Sequence, residues 1–240
     1  MVTRNSRLPL EVNYPGDCVL ALAIPLTRER FLADLKQPEI KDFVFQFRKV
    51  RGLERADPEF CWQVYETEEA ALVAAVCDEV EHHGVKIAND VSLADLTKLL
   101  AQFSIVTLVA HSRFVDSETA DLKNPLIEFS DGLVTTPELV QAIPIDFSGL
   151  LDLTVCNSVI PAAAIRESRP NCLIAGNRRP AELRSRMYLY GLEISLLAKE
   201  PQPFVDVITK VHSRRSSYDT KGGTLWKLLG RFCNAMRGRR

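Results

Sequence analysis

The usual anchors of several enzyme classes are missing from this chain. There is no G-x-x-x-x-G-K, no G-x-G-x-x-G, no H-E-x-x-H and no G-x-S-x-G, so phosphate-loop, dinucleotide, zincin and serine-hydrolase chemistries lack their signatures. The six cysteines (Cys18, Cys61, Cys77, Cys156, Cys172, Cys233) contain no C-x-x-C pair. That excludes a zinc ribbon and a dense disulfide scaffold, and reduced thiols are expected. His82 and His83 close a helix just before Gly84, where a cation suits the helix dipole. Metal binding there is the weaker alternative, since no second ligand set has the right spacing, and neither a metal nor an organic cofactor is expected. The apolar stretch near the N-terminus, CVLALAIPL, is nine residues long, too short to span a bilayer. It follows Glu11, Pro15 and Asp17 rather than a basic approach, and reads as a strand of a cytoplasmic protein. Internal repeats and low-complexity segments are also absent.

What remains is ordinary globular material, with 240 residues, 46% of them apolar and 25% charged. This is enough for one large α/β domain or two small ones. Formal net charge is -1, yet Lys221, Lys227, Arg231, Arg237, Arg239 and Arg240 stand in a terminal stretch with no acid, leaving -7 on residues 1–220. The basic tail is set apart from the body by SSYDTKGGT.

Hydrophobic periodicity alternates strands with helices. CVLALAI is a strand, followed by a helix that Thr27 can cap and Pro38 interrupts. CWQVYE reads as a strand and TEEAALVAAVCDEVEHHG as a helix that starts at Thr67 and stops at Gly84. Strand VKIAND, helix SLADLTKLLAQF and the unbroken apolar strand SIVTLVA lead to His111. SRFVDSETADLKN then reads as a loop, LIEFSDGLVT as a hairpin about Asp131-Gly132, and TPELVQAI as a helix with Thr136 as N-cap and Pro137 at its first position. Strand LLDLTVC, a helix or loop, strand NCLIAG, a long helix over 179–200 and a last helix from 201 complete the body. Such alternation predicts an α/β fold with a mostly parallel central sheet flanked by helices on both faces.

Two apolar strands each end in a reactive side chain, SIVTLVA at His111 and LLDLTV at Cys156. Sites in open α/β sheets form outside the carboxyl ends of neighbouring strands. An imidazole there can take a thiol proton, and the thiolate is the nucleophile of acyl transfer. His111 lies 45 residues upstream of Cys156, near the roughly 50-residue spacing of caspases, although the caspase signature around the cysteine is absent. A cysteine phosphatase would need arginine six positions after Cys156, where Ala162 stands. The bland alternative is a packed cysteine and a satisfied polar histidine. Cys18, Cys61, Cys77 and Cys172 sit in periodic apolar runs and read as core.

The succession IVTLVAHSRF, NPLIEFSDGLVTTPELVQAIPIDFSGLLDLTVCNSV, NCLIAGNRR and MYLYGLEISLLAKEPQPFVDVITKVH resembles a CHAT domain, of the caspase-like peptidase clan that includes separase. The likeness runs over residues 65–215, with residues 1–64 as an N-terminal extension onto the same sheet or a small subdomain and 216–240 as the tail. It implies a caspase-like sandwich and a cysteine endopeptidase with His111 as general base and Cys156 as nucleophile. It also implies a specific protein substrate and a role in bacterial antiphage defence or regulated cell death, some relatives cleaving a gasdermin-like pore former. The oxyanion donors would be the backbone N–H groups of Ser112 and Cys156.

Two positions depart from the family. Ser112 stands where Gly usually follows the histidine, and its N–H still donates where its φ and ψ allow. Thr154 stands where relatives that cut after basic residues carry an acid. Asp152 shares that strand face but lies four residues before the cysteine, about 13 Å at ~3.3 Å per residue, too deep to line a primary pocket. It reads equally as a partner for a helix terminus or for Arg178 or Arg179. Arg113 is the remaining candidate for substrate contact and would favour an acidic residue. Control is expected from another polypeptide, from self-cleavage or from assembly. In the tail, Leu225, Leu228, Leu229, Phe232 and Met236 form a helical stripe opposite cations. Such a stripe ordinarily docks on its own core; a partner groove, an anionic membrane surface or nucleic acid is the alternative. The rival to the peptidase is a catalytically silent scaffold that binds a partner through this tail.

Overall fold

The computed structural model describes residues 17–37, 41, 43–113, 125–156, 158–176, 183–200, 202–204 and 206–211. The basic tail, the segment before it and the greater part of the loop after Arg113 lie outside these residues. Between Cys18 and Lys199 eight strands and eight α-helices are described, alternating as the periodicity predicts except that four helices run in succession between the first two strands.

Five strands form one all-parallel sheet, β1 (Cys18–Leu22), β2 (Lys86–Ala88), β3 (Ile105–Val109), β7 (Leu150–Thr154) and β8 (Leu173–Gly176), arranged β2-β1-β3-β7-β8. β1, β3 and β7 are buried at every position, which is why they read as unbroken apolar runs rather than alternating ones. The pleat sorts them onto two faces. Leu20, Leu22, Ile105, Val109 and Leu150 pack with α4 (Ala71–His82) and α8 (Leu183–Lys199), while Val19, Ala21, Val106, Leu108, Leu151 and Leu153 pack with α5 (Leu93–Gln102), α6 (Thr136–Ala142) and α7 (Val159–Ser168). At about 1.5–3 kcal/mol for each large aliphatic side chain, these two layers supply the main driving force for folding. The fold is therefore an α/β sandwich with a parallel sheet covered on both faces.

A second sheet is small and antiparallel, β4 (His111–Arg113), β5 (Leu126–Phe129) and β6 (Gly132–Val134). The Asp131-Gly132 hairpin is as read from the sequence, with Gly132 at φ 155°. His111, expected to end the preceding strand, and Ser112 and Arg113, expected to open a loop, instead add a third strand to it. Helix α6 starts one residue earlier than its sequence suggests: Thr135 is the N-cap, in a reciprocal capping box with Glu138, and Thr136 is inside the helix. Ser92 and Asp95 make the same box on α5.

The segment CWQVYE is helical, not a strand. Asp57 caps α3 (Pro58–Tyr65) by accepting from the Glu59 N–H at 2.8 Å, Pro58 takes the first turn, and Cys61, Trp62 and Tyr65 bury one face. Aromatic content suggested β, but the cap and the three-four spacing prevailed. α3 runs through a π-helical turn at Glu66–Ala70 directly into α4. Thr67 is therefore no helix start; its hydroxyl donates back to the Gln63 carbonyl at 2.8 Å. The 64/65 boundary falls inside this continuous helix, and β1 pairs with both β2 and β3 inside the sheet. α1 (Arg28–Asp34) is capped by Thr27 as expected, and α2 (Phe43–Val50) joins α1 and α3 around Phe31, Phe43, Phe47, Trp62 and Tyr65. Residues 204 and 206–211 are helical and bury Phe204, Val207, Ile208 and Val211 on the α4/α8 face. Among the described residues no helix is long and apolar enough to cross a membrane.

The start of β7 depends on a close approach. Leu150 N–H donates to the Ser104 carbonyl at 2.8 Å, and a Cβ on Gly149 would run into that same carbonyl and into the Phe147 ring. Gly149→Ala is expected to lower the unfolding free energy by about 1–3 kcal/mol, measurable by urea denaturation. Ala at Gly52, which has open space but φ 66°, is expected to cost through backbone strain alone, about 1 kcal/mol.

Candidate active site

The site is built on the pairing of β3 with β7. Val109 stands opposite Thr154 in a parallel ladder. Two residues further along each chain are His111 and Cys156, so both stand the same number of residues past the end of the ladder. There the strands diverge: the β3 chain turns into β4 of the small sheet, and the β7 chain turns into α7. Ser112, buried, bridges the gap by donating its Oγ–H to the Cys156 carbonyl at 2.8 Å.

The Cys156 turn is held from below. Ser158 is fully buried and donates its Oγ–H to the Leu153 carbonyl at 3.0 Å, while its own carbonyl accepts from Ala162 N–H at 2.9 Å to open α7. Gly176 of β8 permits this, because a Cβ there would come within 3.1 Å of Ser158 Oγ. Cys156 itself is half-buried. Of the other thiols, Cys18, Cys77 and Cys172 are each pushed up to about 12, chiefly by burial, and Cys61 is buried. Cys233 lies outside the described residues.

His111 sits on the opposite flank, against the aromatic cluster. Its ring is 5.3 Å from that of Phe43, and Nε2 is shielded from solvent. Phe43 opens α2 and donates its backbone N–H to Glu128 Oε2 at 3.1 Å. Tyr65 packs edge-on to Phe43 and ties the cluster to the end of the β1 chain by donating to the Pro25 carbonyl at 2.9 Å. Lys41 is buried and donates to the carbonyls of Phe129 and Ser130. Burial is the main reason its ammonium is easier to deprotonate than usual, with the nearby Arg30 charge adding to the effect.

Asp152 and Thr154 lie on the β7 face that α8 covers. Both are buried and both meet Arg186 of α8: Nη2 donates to Thr154 Oγ1 at 3.0 Å and lies 3.6 Å from Asp152 Oδ1. Asp152 thus has an arginine partner in Arg186; Arg178 and Arg179 lie outside the described residues. One turn along α8, the Tyr190 hydroxyl is pushed well above its usual range by burial first, with Thr107, Glu193 and Asp152 around it. Arg113 is the last residue of β4, and its side chain lies outside the described residues.

The structure therefore joins Ser112 to Cys156 directly, brings His111 to the same edge, and assigns Asp152 and Thr154 to an internal network. Sequence reasoning did not single out Arg186, Glu128, Phe43 or Lys41. Arg186 was signalled only by standing directly before the apolar run MYLYGLEISLL of the same helix, and Glu128 only by being the one acid in the apolar strand LIEF. Among the described residues no group of His, Cys, Asp and Glu has the makings of a metal site. No protein-family model matches the chain, and no curated protein matches it.

Asp152→Ala, which removes the counter-charge from a buried guanidinium, is expected to cost about 3–5 kcal/mol, and the double change with Arg186→Met substantially less. Urea denaturation of the two variants measures the difference. A second expectation concerns the thiols: iodoacetamide at pH 7.5 labels Cys156 in the folded chain, whereas Cys18, Cys61, Cys77 and Cys172 label only after denaturation, as peptide mass spectrometry reads directly.

Proposed function

We propose that this chain is a cysteine endopeptidase of the CHAT type, with Cys156 as nucleophile and His111 as general base. The observation that carries the reading is the shared carboxyl edge: one ladder register delivers both side chains, and the Ser112 Oγ to Cys156 carbonyl bond at 2.8 Å ties the two chain ends together. His111 takes the Cys156 proton. The thiolate attacks the scissile carbonyl, and collapse of the tetrahedral intermediate expels the amine, which receives the proton from the imidazolium. Water, deprotonated by His111, then releases the acyl group and restores the thiol. The backbone N–H groups of Ser112 and Cys156 are the oxyanion donors in this scheme, each worth about 2.7–4 kcal/mol in comparable sites.

The substrate is a specific protein rather than any unfolded chain. The Asp152 carboxylate is countered by Arg186, which supports a primary pocket without a surplus anion and argues against cleavage after basic residues. Arg113 is the group that would favour an acidic residue. The cellular setting inferred from the resemblance is the bacterial cytoplasm, in antiphage defence or regulated cell death, with a gasdermin-like pore former among the candidate substrates. An activating or regulatory protein is expected to switch the peptidase on.

Co-expression of the wild type, Cys156→Ala and His111→Ala with the proteins encoded beside it tests the reading. A chain cut only by the wild type, with its new terminus identified by mass spectrometry, is the expected result. Intact neighbours in all samples, together with a folded chain whose Cys156 labels no faster than an ordinary exposed thiol, would transfer the assignment to the silent scaffold.

A further inference from the structure

The base of the proposed dyad has a carboxylate beside it. In the small sheet His111 is the direct cross-strand partner of Glu128, and such antiparallel partners share a face with Cβ atoms about 4.5–5.5 Å apart. The neighbours Ile127 and Phe129 point the other way, into the core layer beneath β3 and β7. Phe43 supplies a second, independent tie between the two. Its N–H bonds Glu128 Oε2 at 3.1 Å while its ring lies 5.3 Å from the imidazole, so both side chains rest against the first residue of α2. Glu128 is 3% exposed.

We propose that Glu128 is the positioning residue for His111, a buried carboxylate that fixes the imidazole's orientation and tautomer and stabilises the imidazolium formed when Cys156 gives up its proton. The inference rests on the peptidase reading for its purpose, though not for its geometry. A base oriented by a third group is the general arrangement around an activated nucleophile, and a carboxylate accepting from one ring nitrogen leaves the other to serve as base. Glu128 has enough acceptor capacity for both tasks, since a carboxylate carries about four lone-pair sites and the α2 cap uses one.

Other charged groups surround the pair. Lys41, from the residues before α2, bonds the carbonyls of Phe129 and Ser130 and feels the Glu128 charge, as does Tyr65 of α3. Asp34 of α1 lies near both Lys41 and Tyr65. Cys156 faces the site from the β7 side. Glu128 is the acid aligned with His111 in the sheet register.

A purely structural role is the competing account: Glu128 would then cap α2 and balance Lys41. Glu128→Gln separates the two, because the amide oxygen keeps the cap and the shape while the charge is lost. The experiment follows the pH profile of Cys156 alkylation by iodoacetamide in the full chain, for wild type, Glu128→Gln, Glu128→Asp and His111→Ala. The expected result is about a tenfold slowing at pH 7 in Glu128→Gln, part of the ~10²–10⁴ that a positioned base contributes. The low-pH onset of labelling should move up, because the thiolate–imidazolium pair loses the support of the carboxylate, and Asp should restore the greater part of the rate. A Glu128→Gln profile matching the wild type, in a chain whose melting is unchanged, overturns the proposal.

The ¹⁵N spectrum of the His111 ring answers the same question without reference to reactivity. A single tautomer in the wild type that becomes mixed in Glu128→Gln supports positioning even if Cys156 is unreactive and the peptidase reading fails. A His111 ring that exchanges between both tautomers in the wild type overturns it without any variant.

Discussion

The parallel register of β3 on β7 is the constraint from which the rest of the site follows. Five consecutive residue pairs, from Ile105 with Leu150 to Val109 with Thr154, are locked by ladder hydrogen bonds and by burial on both faces. A slip of one residue would send every apolar side chain to the other layer and turn the buried Asp152 toward a different helix. It would also move His111 and Cys156 out of step. Because both faces are filled, the penalty for slipping is the sum of many buried aliphatic contacts, so the relative level of the two side chains is set by the core rather than by the loops that carry them.

Above that edge, polar groups finish what the ladder begins. Ser112 spans from the β3 chain to the Cys156 carbonyl, Ser158 ties the same turn back to Leu153, and Gly176 leaves room for it. On the other flank the aromatic cluster, Lys41 and Glu128 fasten α1 to α3 onto the small sheet that begins with His111. The N-terminal residues are therefore part of the wall of the site. Burial of Asp152, Arg186 and Glu128 is expensive unless each charge is matched.

Much of this was legible beforehand. The alternation of apolar strands with capped helices sufficed for a parallel α/β sheet, and Asp131-Gly132 sufficed for the hairpin. Misreadings came where two local signals competed. In DPEFCWQVYE the aromatic residues suggested a strand, while Asp57 and Pro58 together specify a helix start. At TTPEL the proline after Thr136 suggested that threonine as the cap, while the reciprocal bond to Glu138 selects Thr135. The strand at His111 to Arg113 could not be read at all, because three residues carry no periodicity and pair only with a segment more than ten residues away.

By itself, then, the sequence determined the layers, the order of the main elements and the two strands that end in a histidine and a cysteine. These are local properties: side-chain period, caps and turn residues act over a few positions and need no knowledge of the rest of the chain. Which charge meets which was decided only in three dimensions. Arg186 answers Asp152 across 34 residues, Glu128 stands beside His111 through a ladder, and Ser112 reaches the Cys156 carbonyl across 44 residues. Pairings of this kind depend on the angle at which a helix lies on the sheet and on the register of strands distant in sequence, and no local pattern encodes either.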